Sequence, residues 1–486
     1  MSKLATQAVV LSIARIANYG LMLISPIILV RILTVEEFGR YREFLVYTSL
    51  LVAFAGFSVN DSLLYFIPAH SRSRWRIVKQ TTILVACSSL IIVGTVAALD
   101  LALKGALIGR FLLPMSIYVL LYVNIDFWEW YWLASHRPVP VFLYTMSRLL
   151  ARMVVVIVAA AATHSITVIV WSLIALEAVR ITGSAIAWRS QSKGSEQPSL
   201  HGFWREQLRF CMPWGISVVF GMASRNLGNI VVVKLLGAAS LAYYTIGLYG
   251  EPIVVALRNS ISAVVLPEMV RRGALVANDQ MPIWRRTTVL NCLMLFPIAV
   301  LLIRYAEPLI IKVFGNAYRP AIPVLQIYSL VVIRECFDLT LPLRSANRTA
   351  PLVQSSLVSL VTTAVCLAVL VPFAGIVGAA VALASAGVAE TIYLGWRVAR
   401  LIGVDPARLL PWGNIAKVAA AALLAGTVTL GNVWVNTFGF AGIAIAGTLY
   451  ILAFAALIWL FKVPEADLLQ DWARRAMRVG ISKASL

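Results

Sequence analysis

Long apolar runs, each closed off by charge or by Gly and Pro, recur from one end of the chain to the other. They lie near residues 8–30, 43–68, 81–99, 112–134, 140–162 and 166–188. Past a polar stretch from Arg189 to Arg209 they continue near 211–236, 242–267, 288–304, 321–343, 352–372 and 376–397. Two more, near 414–431 and 439–461, precede a basic, amphipathic tail. A bilayer core about 30 Å thick is crossed by a helix of about 20 apolar residues, which satisfies its own backbone polar groups where no water can. The pattern predicts an all-α polytopic membrane protein of about 14 transmembrane helices. Its expected parts are an N-terminal six-helix lobe (1–188), a cytoplasmic linker (189–209), a C-terminal six-helix lobe (210–400), an additional helix pair (401–461) and a cytoplasmic tail (462–486).

Composition agrees. Of 486 residues, 60% are apolar and only 13% charged, against roughly 25% charged in soluble domains, and no stretch is left for a folded soluble domain. The net charge of +20 raises the question of nucleic acid, but the basic residues sit in short clusters between apolar runs. That is the arrangement of topology signals facing anionic lipids, so membrane lipids are the expected partners and nucleic acid is not. Thr6, Gln7, Ser12 and Arg15 interrupt the first run and no small-residue cleavage site follows, so it is read as a retained span. The five cysteines have no paired spacing and read as small hydrophobes.

The distribution of cations orients the chain. Of 41 Lys and Arg, seven lie inside spans and nine (Arg31, Arg40, Arg42, Lys104, Arg110, Lys234, Arg304, Lys312 and Arg319) on one side, leaving 25 for the other. The basic side is cytoplasmic, which puts both termini there. An internal repeat supports two related halves. Arg31-Ile-Leu is followed ten residues later by Tyr41, and Lys234-Leu-Leu by Tyr244, an offset of 203; Pro68-Ala-His-Ser-Arg72 and Pro267-Glu-Met-Val-Arg271 recur at 199. Copies six spans apart share orientation, as in transporters with parallel repeats.

The stretch Arg31-Ile-Leu-Thr-Val-Glu-Glu-Phe-Gly-Arg-Tyr41 resembles the signature after the first span of Wzx-type polysaccharide and O-antigen flippases. Glu307-Pro-Leu-Ile-Ile-Lys-Val-Phe-Gly-Asn-Ala-Tyr318 is similar to their loop after span nine, and Phe373-Ala-Gly-Ile-Val-Gly-Ala-Ala380 to their glycine-rich entry to span twelve. The resemblance implies membership of the multidrug/oligosaccharidyl-lipid/polysaccharide exporter superfamily. It further implies two pseudo-symmetric, MATE-like six-helix bundles around a cavity that opens alternately to each side of a bacterial inner membrane. The implied cargo is an undecaprenyl-diphosphate-linked oligosaccharide, with polysaccharide polymerase and export machinery as further partners. Fourteen spans rather than twelve resemble the lipid II flippase branch and leave the subfamily open.

Candidate chemistry centres on arginine. At bilayer depth each costs roughly 2.5–3.5 kcal/mol to insert, so Arg15, Arg148, Arg152, Arg180, Arg225, Arg258 and Arg334 require partners or water. Counted from the predicted cytoplasmic ends they lie about 12–22 Å deep at 1.5 Å per residue. A guanidinium grips phosphate oxygens in a bidentate fork, so a row of arginines in the inner half suits a diphosphate. The substrate-binding candidates are Arg148, Arg152, Arg225 with Asn229 one turn on, Arg15 and Arg258. The shallower Arg15, Arg180 and Arg258 equally well snorkel to the interface. Glu177 with Arg180, and Arg334 with Asp338, are spaced as internal salt bridges. Glu251 shares a face with Arg258 and precedes Pro252, marking a kink and a gating candidate. Asp61, Asp126, Glu129 and Glu390 are in-span carboxylates able to take a proton or sodium ion in coupled transport, and Asp61 joins Glu251 as a coupling or gating candidate. The Phe127-Trp128-Glu129-Trp130-Tyr131-Trp132 run reads as an interfacial aromatic belt or as a platform for sugar rings.

No G-x-x-x-x-G-K-[ST] loop is present, so ATP hydrolysis at a Walker site is not expected. The four histidines lack metal-ligand spacing, and no metal or other cofactor is expected. The leading reading is therefore a flippase, not an enzyme. A membrane-embedded polymerase or ligase is the alternative, and cation efflux fits poorly because its cavity needs excess carboxylate.

Overall fold

The computed structural model describes residues 20, 23–70, 73–135, 137–192, 203–271, 280–346, 348, 350–428 and 433–465, and among them no strand occurs. Arg15, most of the first predicted span, residues 193–202 of the linker and the tail beyond Glu465 lie outside the described residues. Helix α1 covers Leu23–Ile32. It is followed by α2 (Val35–Gly56), α3 (Leu63–Ala69), α4 (Arg74–Ala102), α5 (Leu112–Val123), α6 (Trp128–Ala134), α7 (Pro138–Thr163), α8 (Ile166–Ser192) and α9 (Phe203–Leu236). Then come α10 (Ala238–Gly247), α11 (Glu251–Arg271), α12 (Gln280–Arg304), α13 (Ala306–Phe314), α14 (Ile322–Glu335), α15 (Thr340–Ser345), α16 (Ala350–Ile402), α17 (Trp412–Val428) and α18 (Val433–Leu460).

Helices occupy the predicted segments from the second onward. By length and apolarity eight of the described helices are fit to cross a bilayer, or nine if the pair bent by 51° around Phe57–Val59 is one span. The chain is thus a multi-pass membrane protein. Helix α16 is a single run of 53 residues, about 80 Å at 1.5 Å per residue, far more than one bilayer core. Its backbone leaves helical geometry at Gly375, at φ 56° and ψ −131°, and the chain doubles back there. The two limbs are antiparallel, with the Tyr393 hydroxyl donating to Gln354 Oε1 at 2.6 Å. Only glycine adopts those angles without strain, so Gly375→Ala is expected to lower stability by about 1–3 kcal/mol, read as a drop in Tm of the purified protein.

Two compact units divide the chain, Met1–Ala242 and Tyr243–Leu486. In the first, α2 packs on α4, α5 and α9, and α7 packs on α8. Helix α9, which the hydropathy pattern assigns to the C-terminal lobe, lies in this unit. In the second, α12 packs on α14 and α17, α14 on α16, and α17 on α18. The order of elements recurs along the chain. Helix α2 starts at Val35 and α10 at Ala238, and the breaks 124–127 and 336–339 interrupt the fourth and tenth predicted spans.

The motif that carries the resemblance near residue 31 is a helix start. Thr34 caps α2, its hydroxyl accepting from Glu37 N at 3.2 Å while the Glu37 carboxylate accepts from Thr34 N at 3.1 Å, a capping box. Glu36 pairs with Arg40 one turn on, and Phe38 and Tyr41 turn inward and are buried.

Three rings of the aromatic run at 127–132 belong to the core. Phe127, Trp128 and Tyr131 are buried in a cluster with Leu63, Phe66 and Trp75. Trp128 is 2% exposed, and Trp130 and Trp132 pack half-buried against the same cluster. The short helix α6 turns these rings into the unit because the span breaks just before it.

Candidate functional site

The fourth predicted span does not cross as one helix. Helix α5 ends at Val123, Asn124 is extended, Ile125 is left-handed at φ 50°, and the helix resumes at Trp128. The break frees carbonyls that carry the negative end of the helix dipole. Arg180, reaching across from α8, covers them: Nη2 donates to Tyr122 O at 3.0 Å and Asn124 O at 3.3 Å, and Nη1 to Ile125 O at 3.3 Å. Irregular backbone at membrane depth is thereby satisfied inside the protein.

The break also delivers Asp126 to a buried quartet. Its carboxylate accepts from Arg148 Nη1 at 2.9 and 3.0 Å and from the Tyr144 hydroxyl at 3.1 Å, and Arg180 Nη1 lies 3.6 Å away. Glu177 pairs with Arg180 at 2.5 Å and with Arg148 at 3.6 Å. Arg148 also lies over the Tyr122 ring, 4.4 Å from its centroid. Two guanidinium groups meet two carboxylates, so the charge balances. The expected Glu177–Arg180 pair is present. Arg148, expected to hold cargo, spends its charge on these carboxylates.

The second unit has a matching quartet. Arg334 bonds Glu335 at 2.6 Å and Glu390 at 2.7 Å, and its Nε donates to Thr391 Oγ1 at 3.0 Å. Glu335 also pairs with Arg258. These residues adjoin the break between α14 and α15, and Arg334 lines an apolar cavity of about 440 Å³ with Leu330, Val388 and Ile392. The expected Arg334–Asp338 bridge does not form. Helix α14 stops at Glu335, so positions 334 and 338 no longer share a helical face. Asp338 instead accepts from the Ser262 and Thr340 hydroxyls, each at 2.6 Å. Arg258 turns to Glu335 on α14. Glu251 begins α11 and is exposed. Pro252 sits in the first turn, where its missing N–H costs nothing, and the backbone break lies just before it, at 248–250.

The remaining arginines differ in kind. Arg152 lines a cavity of about 230 Å³ with Ser25, Phe38, Tyr41, Arg42 and Met153, and among the described residues no carboxylate lies within salt-bridge distance of it. Arg225 is exposed and contacts Met222 Sδ at 3.2 Å. Asn229, one turn on, has a buried side-chain oxygen without a donor among the described residues. Asp61, at the bend between α2 and α3, accepts from the Trp130 indole at 2.6 Å. The sequence ranks Asp126 no higher than three other carboxylates and passes over Glu335. The usable signal for Asp126 is the pair Asn124 and Asp126 interrupting an otherwise apolar run.

Residues 4–271 match the model of the family described as polysaccharide biosynthesis protein. Among solved structures, the lipid II flippase MurJ in an inward closed conformation is similar with a TM-score of 0.72 at 14% identity, covering 94% of this chain and 99% of that one. An inward-facing multidrug resistance MATE family transporter of the MOP superfamily gives 0.55 at 12% identity, covering 81% of this chain and 99% of that one. The MATE transporter VcmN of Vibrio cholerae gives 0.50 at 14%, covering 82% and 97%. No curated protein matches the chain. At such identities the structural likeness is one of fold. Matched over more than half its length, the chain belongs to the polysaccharide biosynthesis protein family and has the fold of MOP-superfamily transporters.

Proposed function

We propose that the protein is a flippase that moves an undecaprenyl-diphosphate-linked oligosaccharide from the cytoplasmic to the outer leaflet by alternating access, for surface or exopolysaccharide synthesis. The membrane proposed is the bacterial cytoplasmic one, with both termini inside. One observation carries the reading: four in-span arginines are neutralised by carboxylates in two balanced quartets, whereas Arg152 faces a cavity without one. A guanidinium left without a carboxylate partner favours an anion that brings its own charge and several acceptor oxygens, and a diphosphate does both. Arg225 and Asn229 are proposed as further contacts, with Arg15 on the first span. Arg148 and Arg258 are assigned a supporting role, holding the electrostatic field of their units through the quartets. Asp61 and Glu251 stand at helix breaks, where a small backbone rotation reorients a half-span, and are proposed to gate.

A lipid II cargo is the second reading, favoured by the MurJ-like fold; the family match favours a polysaccharide precursor. Arg152→Gln, in protein shown to be inserted and folded, is expected to lower polysaccharide export about 10–100-fold, the loss of one charged hydrogen-bonding group. Arg152→Lys, which keeps charge without the fork, should fall between. Unchanged export in both Arg152→Gln and Arg225→Gln would remove the cavity assignment. Movement of lipid II but not of a polyprenyl-diphosphate oligosaccharide by the protein in vesicles would reverse the choice of cargo.

A further inference from the structure

The open end of the α16 hairpin carries a feature that transport through the arginine cavity does not use. A pocket of about 470 Å³ lies there, walled by Arg348, Arg397 and Arg400 together with Leu343, Ala350 and Pro351. All three guanidinium groups come from the two limb ends, which the Tyr393 to Gln354 bond holds side by side. Among the described residues no carboxylate lies within salt-bridge distance of any of them, in contrast to the two quartets. Helix α16 begins at Ala350 in the wall, so the positive end of its dipole adds to the three charges. Trp396 flanks the pocket, with Arg400 3.8 Å and Arg397 5.8 Å from its ring centroid, and Tyr393 lies beside it at 6.2 Å between centroids. Arginine next to an exposed Trp and a half-buried Tyr marks the level of the headgroups.

We propose that this pocket is a binding site for the phosphate of an anionic phospholipid, held by Arg348, Arg397 and Arg400. The source of the phosphate is decided by what lies next to it. From the pocket an apolar stripe runs down the outside of the first limb of the hairpin, with Val353 55%, Leu357 56% and Val361 54% exposed at one-turn spacing. A phosphodiester seated among the arginines places two acyl chains along that stripe, whereas free phosphate has no use for it. The face concerned is the one the Lys and Arg distribution assigns to the cytoplasm, where anionic headgroups attract basic segments. The second limb bears Glu390, the partner of Arg334, so a lipid gripping the limb ends would bear on the position of the second quartet.

The test is native mass spectrometry of the purified full-length chain with added phosphatidylglycerol or phosphatidylcholine of equal chain length. The wild type is expected to retain phosphatidylglycerol at least ten-fold better. The triple variant R348Q/R397Q/R400Q should lose about a hundred-fold in affinity, since each Arg near an anionic surface contributes several-fold. The charge-matched control R189Q/R408Q/K417Q should bind as the wild type does. Equal retention by both triple variants, or no preference for the anionic lipid in the wild type, overturns the proposal. So does competition in which inorganic phosphate at low millimolar concentration displaces phosphatidylglycerol completely, which would make the pocket a free phosphate site. Should the triple variant not fold, Arg348→Glu alone, at an exposed position outside the helices, is expected to reduce retention at least ten-fold, and an unchanged value refutes the site.

Discussion

Asp126→Asn is expected to destabilise the first unit by about 3–5 kcal/mol, the usual consequence of removing one member of a buried ion pair. The carboxylate receives both Arg148 bonds and the Tyr144 hydroxyl and stands 3.6 Å from Arg180. Its loss leaves two guanidinium groups facing Glu177 alone. The side chains of Asp126 and Glu177 are only 10% and 4% exposed, so water does little to replace the missing charge. The measurement is thermal or denaturant unfolding of the purified protein. Arg148→Gln added to Asp126→Asn should recover part of the loss, because the double variant restores charge balance, and such coupling is what a double-mutant cycle reads. Glu307→Gln provides the contrast. It removes the Glu307–Arg319 pair at 3.0 Å, whose side chains are 55% and 66% exposed, and a surface pair of this kind is worth about 0–1 kcal/mol. A loss at Asp126 no larger than at Glu307 would show that the quartet does not hold the unit together.

Gly39→Ala should be nearly as damaging, at the upper end of the ~1–3 kcal/mol typical of overpacking or beyond it. A Cβ at Gly39 would lie 1.9 Å from the carbonyl oxygen of Ala238 and 2.4 Å from its carbon. Both are backbone atoms, so no side chain is free to swing aside. Helix α2 would have to separate from the start of α10, disturbing the buried Phe38 and Tyr41 on either side. The yield of monodisperse protein and its Tm report the effect. Gly94→Ala in α4 is the matched control, since nothing lies within 4 Å of its Cβ position. That change should be neutral or stabilising by up to about 1 kcal/mol from helix propensity. Equal behaviour of the two variants would mean that the close approach at Gly39 is not required.

The close approach at Gly39 also explains why the Arg31 to Tyr41 motif is a structural signature. Thr34 and Glu37 form the cap, Phe38 and Tyr41 fill the core, and Gly39 admits a neighbouring backbone. None of these roles requires contact with cargo. Tyr41 nonetheless lines the Arg152 cavity, so the segment that starts the helix also shapes the wall of the candidate site.

Much of the fold was legible along the chain because its causes are local. Apolar run length dictates a spanning helix wherever the backbone has no water to bond, and the helices found from α2 to α18 fall on the runs, except α13 (Ala306–Phe314), which forms in the stretch expected as a loop after span nine. The capping box at Thr34 and the turn at Gly375 follow from side chains and angles within a few residues, and the Glu177–Arg180 pair follows from a three-residue spacing on one unbroken helix. The helix breaks were not legible. Phe57 and Ile125 adopt positive φ although neither is Gly, Asn or Asp, and only surrounding structure imposes that on such residues. Once a break is present, periodicity no longer says which side chains meet. Arg334 turned from Asp338 to Glu390, 56 residues away, and Arg148 found Asp126 across 22. Residue type and depth sufficed to single out seven costly arginines. Which of the described ones are already neutralised, and that Arg152 faces a cavity without a carboxylate, was decided by tertiary packing, because a buried charge is settled by whichever partner the neighbouring helices bring within reach.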